Sequence, residues 1–149
     1  MKILIGNDHA GTALKEEIKK HLEDAGIEVV NYGTDSTESV NYPEIGQKVA
    51  EELVAGKGDL AILICGTGIG ITLSANKVPG IRAAACYDAT TAHLIREHNH
   101  ANILGLGARI TGSELAKDIV DSFISAKPLG GRHQERVDMI TAIEKKYSR

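Results

Sequence analysis

The stretch DLAILICGTGIGITLSANK, Asp59 to Lys77, decides the fold. Leu60 to Ile64 is wholly aliphatic, which is how a strand buried on both faces of a parallel sheet reads. The run enters Cys65 and then places glycine at every second position, at Gly66, Gly68 and Gly70. Glycines where the chain leaves a strand let backbone approach a ligand closely. Gly70 to Lys77 has helix-like content, so the whole reads as strand, glycine turn and helix N-terminus. Such a junction presents free amide N–H groups to an anion. Cys65 stands at its mouth, and a thiol at a helix N-terminus is favoured as thiolate. The competing reading is a buried cysteine acting as a small apolar residue.

Outward from this run, β-type segments recur at Ile3–Ile5, Ile27–Tyr32, Arg82–Cys86 and Asn102–Leu106. Amphipathic stretches lie between them. Thr12–Asp24 puts Leu14, Ile18 and Leu22 on one stripe and Gly26 ends it. Pro43–Val54 follows, with Pro43 in the first turn. Asp88–Glu97 and Ser113–Ser125 supply two more helices, with Asp88 and Gly112–Ser113 as caps, and a last helix runs from about His133 to Tyr147. Alternating strands and helices predict a three-layer α/β/α domain with a five-stranded, parallel, Rossmann-like sheet. Residues 1–149 read as one domain, without repeat or linker.

Ligands bind such sheets beyond the carboxyl ends of the strands, where strand order reverses. The first turn is GNDHAG, Gly6 to Gly11. If the first and third strands are neighbours, with the second beyond the first, this turn meets CGTGIG. Asp8, His9, Cys65 and Thr67 then converge. Asp8 and His9 fit a helix cap as well as a ligand contact.

Composition narrows the function. The chain has 149 residues, net charge −3 and 3% aromatics without Trp, which disfavours a nucleic-acid binder. No apolar run approaches the ~18 residues of a membrane span, and the opening MKILIGNDHAG lacks a signal-peptide cleavage region. Cys65 and Cys86 have neither CxxC nor zinc spacing, which fits a reducing cytoplasm. Cys86, in the RAAAC run, reads as core. The turn is GxGxG, and no acidic residue ends a strand ~20 residues on, so it is not a dinucleotide fingerprint; without GK[ST] it is not a P-loop. His98 and His100 lack a nearby carboxylate partner for a metal. In GGRHQER, Arg132, His133 and Arg136 crowd the start of the last helix, where the dipole disfavours cations. Free amides and gathered cations suit a phosphate or carboxylate; a solvated charged face is the alternative.

Taken together, GNDHAG, NYP, ICGTGIG, SANK, GIRA, the His98–Asn99 pair, LGAR and GGRHQERV, in that order, cover nearly the whole chain. By them the chain resembles the type B ribose-5-phosphate isomerases, whose relatives include galactose-6-phosphate isomerase subunits. The resemblance implies a cytoplasmic enzyme of carbohydrate metabolism, without metal or cofactor, that interconverts phosphorylated aldoses and ketoses. It implies that Cys65 moves the proton between C1 and C2 and that His98 assists ring opening. Asp8 and Thr67 contact the sugar, and the turn Gly66, Thr67, Gly68, Ile69, Gly70 supplies amides to the enediolate. His9, Arg109, Arg132 and Arg136 would hold the phosphate, with Asn99 and Tyr42 as further substrate contacts. Two positions depart from the family pattern: Asn41 replaces a frequent Asp, and Ile71 stands where cysteine-less members carry a Glu.

Chain direction adds one expectation. His98 follows the helix after the fourth strand, which puts it at the amino end of the sheet, opposite Cys65. A neighbouring subunit must then complete the site, and a homodimer is the smallest working unit, with a tetramer also open. Pentose and six-carbon substrates (allose or galactose 6-phosphate) both fit. Outside that class stand a non-catalytic phosphate-binding module, which needs no Cys65, and a metal-dependent hydrolase using His98 and His100.

Overall fold

The computed structural model describes residues 1–148. Five strands, β1 (Lys2–Asn7), β2 (Glu28–Asn31), β3 (Leu60–Cys65), β4 (Ala83–Ala85) and β5 (Ile103–Gly107), pair in parallel in the order β2-β1-β3-β5-β4. Helices α1 (Thr12–Asp24), α2 (Tyr42–Val54), α3 (Ile69–Ala75), α4 (Ala89–Asn99), α5 (Ser113–Ser125) and α6 (Arg132–Tyr147) connect and flank them. A 3-10 turn, His9–Gly11, precedes α1.

Strand periodicity divides the core in two, because successive side chains point to opposite faces. Ile3, Ile5, Ile62, Ile64, Leu104 and Leu106 pack under α1, α4 and α5, around Ile18 and Phe123. Leu4, Leu63, Cys65 and Ile103 pack under α2 and α3, around Val49 and Ile71. All six residues of β3 are buried, so its unbroken apolar run reflects cover on both sides. Each fully buried Ile or Leu contributes about 1.5–3 kcal/mol relative to an exposed one.

The first and third strands are neighbours, as expected, and strand order reverses between them. The N–H of Asp8 donates to the carbonyl of Ile64 at 3.1 Å, which ties the two turns together. Most strand and helix ends shift by a residue or two from the sequence reading, and three of the shifts have a visible cause or consequence. α3 stops at Ala75; within it, Thr72 and Ser74 hydroxyls donate back to the carbonyls of Gly68 and Gly70, a pattern that weakens helices. β4 keeps only three residues, since Arg82 N–H pairs with the Asn102 side chain in place of a strand. α4 extends to Asn99 and is closed by His100 in left-handed geometry (φ 50). His98 therefore lies in the last turn of α4, where the sequence reading had placed it just beyond the helix.

Candidate active site

The carboxyl ends of β1, β3 and β5 surround a cleft of about 340 Å³. Cys65, Gly66 and Thr67 line it from the turn after β3, Ile69 and Gly70 from the start of α3, and Asp8, Tyr42 and Arg109 from the neighbouring segments. Cys65 is buried, and its Sγ accepts the Gly68 N–H at 3.2 Å. Gly68 has φ +82, a conformation that costs a side-chain-bearing residue but not glycine. Through it the chain folds back so that a turn amide reaches the sulfur. The Ile69 N–H is also taken, by Thr67 Oγ1 at 3.2 Å. Of the five amides assigned to a ligand from sequence, those of Gly66, Thr67 and Gly70 are left for it. Gly70 lies in the first turn of α3, where N–H groups lack helical partners.

The lining residues are held close. A Cβ on Gly70 would meet the Tyr42 ring at 2.7 Å, so only glycine lets that ring lie across the turn. The Tyr87 hydroxyl donates to the Thr67 carbonyl at 2.7 Å and braces the turn from outside. Asp8 has both of its candidate roles: Oδ1 accepts the Ala10 N–H at 3.0 Å, and the residue lines the cleft. His9 does not line the cleft; it sits beside it, half-buried, with Nδ1 accepting the Val40 N–H at 3.2 Å.

His98, Asn99, Arg132 and Arg136 form a second group elsewhere. Arg82, one residue before β4, donates from Nε to the carbonyls of Asn99 and His100 at 3.0 and 3.1 Å. The end of α4 is thereby fixed at the amino edge of the sheet. An eleven-residue helix is about 16 Å long, and α4 spans that distance from the edge where Cys65 lies. The His98 ring stacks on His133 of α6, with centroids 4.3 Å apart and planes within 2°. Partial burial, then His98 and the guanidinium charges of Arg132 and Arg136, hold His133 below the usual imidazole pKa. The candidate residues thus fall into two groups at opposite edges of the sheet.

His100 Nε2 lies 2.9 Å from the Leu129 carbonyl while His98 stacks on His133, so the two rings do not converge. Among the described residues no three His, Cys, Asp or Glu side chains gather as a metal site. Cys86 is core, as read, and burial pushes its thiol up to about 11. Two residues were missed from sequence: Tyr87, which braces the turn, and Lys15, buried on α1. For Lys15 a signal existed: it precedes Ile18 by three and Leu22 by seven, on the apolar stripe of α1. No helix is long and apolar enough to cross a membrane among the described residues.

Residues 3–140 match the family described as Ribose/Galactose Isomerase. The chain is 50% identical over 145 residues to ribose-5-phosphate isomerase B of Escherichia coli, covering 97% of each. It is 41% identical over 141 residues to D-erythrulose-4-phosphate isomerase of Pectobacterium atrosepticum, covering 94% of this chain and 93% of that one. The solved structure of Clostridium thermocellum ribose-5-phosphate isomerase B superposes with a TM-score of 0.98 at 55% identity, over 99% of this chain and all of that one.

Proposed function

The chain belongs to the ribose/galactose isomerase family, and from that premise we propose that it interconverts ribose 5-phosphate and ribulose 5-phosphate with Cys65 as the base. The observation that carries the reading is the sulfur of Cys65, which sits at the boundary between the core under α2 and α3 and the cleft it lines, and accepts a turn amide there. The relatives named for ribose 5-phosphate support the pentose.

Isomerisation removes a weakly acidic C–H proton and returns it to the neighbouring carbon. Cys65 takes the proton from C2 of the open-chain aldose, leaving an enediolate, and returns it to C1 as a proton passes from O2 to O1. The developing negative charge is stabilised by N–H donors already in place at Gly66, Thr67 and Gly70. Asp8, Thr67 and Tyr42 orient the sugar, and Arg109 with His9 holds the phosphate. Phosphate binding energy keeps the open-chain form in position.

His98 and Asn99, with Arg132 and Arg136, come from the amino edge of a second subunit, His98 for ring opening and the arginines for the phosphate. Support comes from the separation of the two groups. The exposed apolar residues Met139, Ile140 and Ile143 on α6 also suit burial against a second copy. Two unpaired cysteines fit a reducing, cytoplasmic setting.

The test is a turnover assay with ribose 5-phosphate, allose 6-phosphate, galactose 6-phosphate and D-erythrulose 4-phosphate side by side. The four-carbon sugar is included because one relative is named for it. Ribose 5-phosphate should give the highest kcat/KM. A higher value on another sugar moves the substrate within the same chemistry, and no turnover on any of them leaves a phosphate-binding module.

A further inference from the structure

Lys15 breaks the chemistry of the helix that carries it. It lies in the first turn of α1, where the dipole opposes a cation, and its side chain is fully buried. A buried ammonium is costly unless paired and hydrogen-bonded, and an apolar chain of similar length would fill the volume without that cost. Its partners therefore matter. Nζ donates to the Thr34 carbonyl at 3.0 Å and to the Asp35 carboxylate, with Glu16 at 3.3 Å. Thr34 and Asp35 belong to the segment 32–41, which joins β2 to α2 without helix or strand.

That segment is mostly exposed, yet it is tied down along its length. The Thr34 carbonyl is gripped a second time by Asn7 Nδ2 at 3.0 Å, and the Ser36 carbonyl accepts from Thr12 Oγ1 at 2.8 Å. Further along, the Val40 N–H donates to His9 Nδ1 at 3.2 Å. A ring nitrogen that accepts an N–H carries no proton, so the His9 ring held in this bond bears its proton on Nε2. Two residues beyond Val40, Tyr42 enters the cleft.

We propose that Lys15 is a positioning residue for substrate binding: by clamping segment 33–40 from beneath α1, it holds the His9 ring as a neutral Nε2–H donor. The inference rests on the proposed role of His9 at the phosphate. A bond from such a donor to a dianion is charge-assisted, and it is lost when the ring turns or changes tautomer. Lys15 thus acts on affinity without touching substrate.

Steady-state kinetics on the full-length enzyme test it, with Lys15→Met, Asp35→Asn and His9→Ala made singly and each loop variant also combined with His9→Ala. Lys15→Met should raise KM for ribose 5-phosphate about ten-fold, the scale of a lost charge-assisted contact, with kcat within about two-fold. Asp35→Asn leaves the ammonium its contacts with the Thr34 carbonyl and Glu16; as the milder change it keeps the test alive if Lys15→Met does not fold, and it should shift KM the same way by less. On the His9→Ala background neither change should raise KM further, because contacts acting through one residue are not additive. A purely structural role would lower Tm and leave KM alone, or add in full to His9→Ala; either result overturns the proposal. If His9→Ala itself leaves KM unchanged, the phosphate role of His9 falls and the inference with it. If His9→Ala raises KM and the loop variants do not, the inference alone falls.

Discussion

The two cysteines show how far position decides chemistry. Cys86 lies in the core beneath α4, where burial and then the charge of Asp88 disfavour the thiolate and push the thiol up to about 11. Cys65 is also buried, but it borders the cleft and its sulfur accepts a turn amide. The same side chain is enclosed by core in one place and borders a cleft in the other, where it is the proposed base. Cys65→Ala should therefore abolish turnover while leaving substrate affinity within several-fold, since a base acts in chemistry and not in binding. Calorimetric binding and a turnover assay check this together, with Cys86→Ala as the control that keeps kcat. Retention of more than about a tenth of kcat by Cys65→Ala would contradict the base assignment.

At the scale of elements, α4 carries His98 and is anchored at its start by Asp88. The carboxylate accepts both the N–H and the hydroxyl of Thr91 at 2.7 Å, and these bonds, the backbone one foremost, hold it below the usual carboxylate range. The unfolded chain then binds the proton more readily, so the cap stabilises the fold above about pH 3.9 and is lost as pH falls through the lowered value. Asp88→Ala should lower Tm by a few degrees at pH 7, and the gap to the parent should narrow as pH falls below about 3.9. Thermal melts across that range decide it, and a gap independent of pH would contradict the capping role. Much of this level was legible beforehand. β3 announced itself because aliphatic residues on both faces leave no other reading, and Asp88 because a cap has a chemical signature. The placement of β5 between β3 and β4 was not legible, because strand order beyond the first crossover depends on how helices pack, not on local pattern. Lys15 was missed although it shares the apolar stripe of α1, because a lysine there reads as a stem lying along the surface with its ammonium in water until tertiary structure covers it.

Across the whole molecule, the same strand polarity that brings Asp8, Cys65 and Thr67 together carries His98, Arg132 and Arg136 to the opposite edge. The direction of α4 was readable from the order of elements, and with it the separation of the two groups. The stacking of His98 on His133 was not, because it joins residues 35 positions apart on helices whose packing no motif encodes. The proposed working unit joins Cys65 of one subunit to His98 of another, and mixing lesions tests it. A Cys65→Ala chain and a His98→Ala chain should each be nearly inactive alone. Co-expressed in equal amounts with random pairing, they give about half heterodimers, and in each of these one site holds both lesions and the other none. Activity should then return to about a quarter of that of the unmodified enzyme, since one site of two works in about half of the dimers. With confirmed heterodimers and inactive parents, the account predicts that recovery; a mixture that stays inactive would place Cys65 and His98 in the same chain's site and contradict the shared one.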